Sequence, residues 1–75
     1  MNNQSLGQAS FACKKIKELL PDLDYDKNFD LIERISEQEY RKILALCYNK
    51  KTEELEQMIK DLNILYERQH TEYNS

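Results

Sequence analysis

The amino-acid sequence predicts an all-α protein, a small compact bundle of about four helices. Three observations carry that expectation. The chain has one Gly, one Pro, no Val and no Trp, while Leu, Ile, Glu and Lys are abundant. That balance favours helix over sheet. Apolar residues recur at spacings of three and four through most of the chain, the helical period. Ser5 with Gln8 and Ser36 with Glu39 have the S-x-x-E/Q spacing of a helix-starting capping box. At 75 residues, 40% hydrophobic and 33% charged, the chain has the size and balance of one folded domain near the lower limit for a self-sufficient core.

The first helix is expected over 5–20. Leu6, Ala9, Ala12, Cys13, Ile16, Leu19 and Leu20 keep the helical spacing, and Pro21 ends the run. Phe11 lies outside this stripe, about 140° from Ile16 on a helical wheel. Lys14, Lys15 and Lys17 make the C-terminal half basic, which complements the helix dipole. Residues 1–4 are expected to form a loose tail. Asp22 to Asp26 reads as an acidic connector, and a short second helix is expected over 27–35 with Phe29, Ile32 and Leu31 turned inward.

The third helix, 36–49, is the most apolar. Ser36 is its N-cap, and Ile35 and Tyr40 are spaced as a hydrophobic staple. Tyr40, Ile43, Leu44, Leu46 and Cys47 fill an arc wide enough to suggest a central helix with neighbours on more than one side. The fourth helix is expected over 52–70, capped by Thr52 with Glu53 and Glu54 in its first turn. Leu55, Met58, Ile59, Leu62, Leu65 and Tyr66 form its stripe, and Ile64 points about 180° from Leu55. The polar end, 71–75, is expected to fray.

Composition narrows the function classes. A net charge of −3 gives no general attraction to nucleic-acid phosphates or anionic membranes. The N-terminus carries no signal-peptide pattern, no apolar run approaches the length of a membrane span, and a cytoplasmic protein is expected. Cys13 and Cys47 fall on apolar helix faces and read as reduced, buried thiols, with a disulfide between them, both facing one core, as the alternative. One histidine, His70, and one glycine leave no zinc-type cluster and no phosphate-binding glycine loop. A non-enzymatic protein without cofactors is expected. A helix-turn-helix reading places Thr52, Glu53, Glu54 and Glu56, or a third helix with only Arg41 and Lys42, against phosphates, a poor match of charge.

The sharpest local pattern is Asp22-Leu-Asp24-Tyr-Asp26-Lys-Asn28-Phe-Asp30-Leu-Ile-Glu33. Its acids fall at positions 1, 3, 5, 9 and 12 of a twelve-residue window, and in this it resembles the calcium loop of EF-hand proteins. The resemblance implies calcium bound through Asp22, Asp24, Asp26, Asp30 and Glu33. It departs from that family at Lys27, where the turn needs Gly, and at Phe29, where a small aliphatic residue is usual. The same acids also suit a solvated connector before a helix N-terminus, which is the favoured reading.

The favoured function is a small protein-interaction module: an adaptor, an inhibitor or a regulatory subunit. Its expected contact residues are Phe11, Tyr25, Tyr48 and Ile64, apolar groups not committed to the core stripes. The surface would combine the outer faces of the first and fourth helices. A second copy of the chain, paired through the Leu55–Leu65 stripe, is a related expectation. The rivals are the calcium-binding protein above and an acidic nucleic-acid mimic using Asp22–Asp30 and Glu53–Glu56.

Overall fold

A computed structural model describes residues 4–74, with side chains described through Glu67. It contains α1 (Leu6–Leu19), α2 (Tyr25–Arg34), α3 (Glu37–Tyr48) and α4 (Thr52–Asn74), so the all-α bundle is as expected. α1 packs against α2 and α3, and α4 completes the ring by packing against α3 and α2. No helix is central. The wide apolar arc of α3 serves two neighbours, while Arg41, Lys42, Ala45 and Tyr48 remain exposed on its outer side.

The core is built from all four helices and the loops that join them. Ile16, Ile32, Ile35, Ile43, Leu55 and Ile59 are its largest fully buried side chains, joined by Ala9, Ala12, Cys13, Leu31, Tyr40, Cys47 and Leu62. At about 25 cal/mol per Å2 of apolar surface, each such aliphatic side chain contributes about 1.5–3 kcal/mol. Phe29 is half-buried against this core rather than inside it. Leu6 and Leu65, placed on the core stripes by their spacing, are exposed at the ends of those stripes.

The helix boundaries follow from the caps. Ser5 and Ser36 each form a complete capping box, with Gln8 and Glu39 returning the bond to the cap backbone. Asp24 is the N-cap of α2, its carboxylate accepting the Lys27 N–H at 3.2 Å. The acidic connector is therefore shorter than its composition suggests, and α2 begins two residues before the expected 27. Thr52 is not the cap of α4 but its first helical residue: the Leu55 N–H donates to the Lys51 carbonyl at 2.8 Å.

Gln4 belongs to the fold rather than to a loose tail. Its N–H donates to the Glu33 carbonyl and its Nε2 to the Ile35 carbonyl, both at 3.2 Å, satisfying two acceptors at the end of α2. The backbone of α4 continues to Asn74, beyond the expected 70. Among the described residues, no helix is long and apolar enough to cross a membrane.

Candidate interaction surface

The buried face of α1 determines its outer face. Ala9, Ala12, Cys13 and Ile16 are interior, and at 100° per residue this turns Phe11, Lys14 and Glu18 to solvent, with Lys15 and Lys17 on the two flanks. The flanks meet different neighbours. On the α3 side, the Lys15 ammonium lies 5.6 Å from the centre of the Phe11 ring and 5.8 Å from that of Tyr48. On the α2 side, the Lys17 ammonium lies 5.6 Å from the Tyr25 ring. Tyr25 in turn leans on Phe29, with centroids 6.1 Å apart.

Three of the four expected contact residues, Phe11, Tyr25 and Tyr48, are thus gathered around α1. Ile64 is not. It is exposed on α4, the helix diagonally across the ring from α1, so one flat partner cannot span both outer faces. The Leu55–Leu65 stripe is likewise not a surface. Leu55, Ile59 and Leu62 are buried in the chain's own core, and only Leu65 at its end is exposed. Pairing of two copies along that stripe would require opening the bundle.

Each ammonium–ring contact at such partly exposed sites contributes about 0.5–1 kcal/mol. Their larger consequence is placement, because Lys15 holds Phe11 and Tyr48 at one location while both rings remain accessible, at 43% and 65% exposure. The electrostatics of this face are opposite to those of the chain. Lys14, Lys15 and Lys17 lie along α1, and Lys50 and Lys51 follow Tyr48. Among the described residues none of these five forms an ion pair; the pairs are Arg34–Asp30, Arg41–Glu37 and Lys60–Glu56. Glu18 is the one acid on the outer strip of α1.

The expected metal residues do not form a loop. Tyr25–Arg34 is helical, so the last nine positions of the twelve-residue window are wound into α2 instead of curling round an ion. Asp24 is occupied as the N-cap, Asp26 lies in the first turn, and Asp30 pairs with Arg34 at 3.1 Å. Asp22 stands outside the helix, and the Glu33 carbonyl receives Gln4. Among the described residues no group of three His, Cys, Asp or Glu side chains is arranged to hold a metal ion. The reason is physical: with Lys27 in place of a turn-forming Gly, and Asp24 available as a cap, helix formation takes the segment.

Both thiols are free and buried. Burial pushes the Cys13 thiol up to about 11. It also raises that of Cys47, with Glu18 adding to the rise and Lys15 opposing it, so neither is poised as a nucleophile. Asn28, buried beside Cys13 and Ile16, donates from Nδ2 to the Asp24 carbonyl at 2.7 Å. Sequence reasoning missed Lys15 and Lys17 as the groups that organise the surface. The Phe11–Lys15 spacing of i, i+4 was the available signal; the partner rings on α2 and α3 had none. No family model, curated protein or solved structure matches this chain.

Proposed function

We propose that the chain is a small non-catalytic, cytoplasmic interaction module, acting as an adaptor, inhibitor or regulatory subunit, that engages a protein partner through the outer face of α1. The observation that carries this reading is the Lys15 ammonium positioned by two exposed aromatic rings from different helices. Exposed aromatic side chains are enriched among the anchors of protein interfaces. The two buried thiols fit a reducing compartment.

Affinity capture from a cell extract with the wild-type chain, Phe11→Ser/Tyr48→Ser and Ile64→Ser tests the reading. A partner held by the wild type and Ile64→Ser, but lost by the double variant, is expected. Mapping its contact by amide NMR should then place the shifts on α1, Tyr25 and Tyr48. Capture that survives the double variant and fails with Ile64→Ser would move the interface to α4 and overturn the assignment.

A further inference from the structure

The charge of the α1 face carries the reading further, to the chemistry of the partner. The whole chain has a net charge of −3, yet along α1 Lys14, Lys15 and Lys17 outnumber Glu18, and Lys50 and Lys51 follow Tyr48 in the chain. Of the other cationic side chains, Arg34, Arg41 and Lys60 are each engaged by an acid one turn away on its own helix, whereas Lys27 and Lys42 stand singly on α2 and α3 without an ion pair among the described residues. Lys15 and Lys17 of the α1 face lie over aromatic rings, and neither they nor Lys14 form an ion pair among the described residues, although Glu18 shares the strip. These lysines outnumber Glu18, which leaves the face net positive towards an incoming acid.

We infer that the α1 face binds an acidic amphipathic segment of a partner protein. An apolar side chain of that segment would seat between Phe11 and Tyr48, with flanking carboxylates on Lys14, Lys15 and Lys17. This rests on the proposed interaction function and deepens it. Two features favour a peptide over a nucleic acid. Lys15 lies over both the Phe11 and Tyr48 rings, whereas single-stranded nucleic acid needs aromatic faces open for base stacking. The lysines also occupy a short strip on one helix beside Glu18, not a continuous track along which a phosphate backbone can release many counterions. An anionic membrane would meet the same positive charge, but the chain as a whole is net negative and Asp22, Asp26 and Glu37 are further exposed acids of the bundle.

The test is display selection from a library of random short peptides, with the wild-type chain as bait. Lys14→Glu/Lys17→Glu, which changes two exposed positions, serves as counter-bait. Enriched peptides are expected to be acidic with an aliphatic or aromatic centre. A synthetic copy should shift the amide signals of α1, Tyr25 and Tyr48. Its binding should weaken about tenfold or more in the charge-reversed variant and in Phe11→Ser, and also with added salt. Ile64→Ser should bind as the wild type does. Enrichment of neutral or basic peptides, or of none, would overturn the inference, as would tighter binding to oligothymidylate or to phosphatidylserine vesicles than to any selected peptide. If selection fails but the captured partner still depends on Phe11 and Tyr48, the interaction reading stands and only the acidic chemistry falls.

Discussion

The turn between α3 and α4 offers a quantitative test of the fold. α3 ends in a Schellman arrangement: the Lys51 N–H donates to the Leu46 carbonyl at 2.9 Å and the Lys50 N–H to the Cys47 carbonyl at 3.1 Å. That closure requires a left-handed residue, and Lys50 supplies it with φ 54°, at a position where helices usually place Gly. A residue with a Cβ gives up about 1–2 kcal/mol in this conformation. Replacing it by Gly also loosens the unfolded chain, which returns about 0.5–1 kcal/mol. Lys50→Gly should therefore stabilise the protein by about 0.5–1 kcal/mol, or about 2–8 °C in Tm for a domain of this size. Against the roughly 4–11 kcal/mol expected for 75 residues, the change is readily measured by urea unfolding followed by far-UV circular dichroism. Lys50→Asn and Lys50→Ala serve as controls. All three substitutions lose the same favourable charge at the helix end, so differences among them report backbone conformation alone. The expected order is Gly, then Asn, then Ala. If Ala were as stable as Gly, residue 50 would not be left-handed and the closure of α3 described above would be incorrect.

Three further outcomes are expected. Ser36→Ala removes the Oγ that accepts the Glu39 N–H at 3.1 Å and should cost about 1 kcal/mol in urea unfolding; no loss would mean the cap is satisfied by solvent. The Tyr66 hydroxyl donates to Glu39 Oε1 at 2.9 Å, and burial together with that bond and the Glu39 charge pushes its pKa up to about 12. The folded state then keeps a proton that the unfolded chain releases near pH 10, so the contribution of Tyr66 to stability should be undiminished below pH 10 and fall as pH rises to 12, adding to the fall that the raised thiols of Cys13 and Cys47 begin near pH 9. Glu39→Gln should bring the phenolate absorbance of Tyr66 to lower pH, and an unchanged titration would refute the link. Cys13 and Cys47 should react with a thiol reagent far more slowly in the folded chain than in urea, because both are buried and free; equal rates would show that the α1–α3 contact is open.

Most of the fold was legible because its signals are local. A capping box needs only residues three apart, and both Ser5 and Ser36 begin helices as their spacing predicts. The stripe of α4 and the stop at Pro21 are local too. The departures arise where a residue's role depends on what lies across from it. Gln4 is polar and near the N-terminus, so sequence alone suggests a tail; it is buried because α2 ends beside it with free carbonyls. Asp24 was legible only as one acid among several, although Asp in front of a helical stretch is itself a cap signal. The breadth of the apolar arc on α3 suggests a central helix, but two neighbours in a ring of four suffice to cover it.

The candidate surface shows the same limit more sharply. A helical wheel identifies Phe11 and Ile64 as lying off their stripes, but it treats each helix alone and says nothing of which outer faces adjoin. The ring order supplies that. α3 follows α2 in sequence, yet each packs more extensively against α1 than against the other, and the end of α3 and the start of α2 lie on opposite flanks of α1. Tyr48 and Tyr25 are thereby brought to the Lys15 and Lys17 sides of α1, while Ile64 goes to the far side of the bundle. Of the three lysines whose sequence position suits the helix dipole, Lys15 and Lys17 lie over the rings at that face in the folded chain. Dipole complementarity explains why basic residues are tolerated near the end of α1. It does not explain why two of them lie over aromatic rings from neighbouring helices, with no acid paired to them among the described residues, and that arrangement is the physical basis for proposing α1 as the contact face.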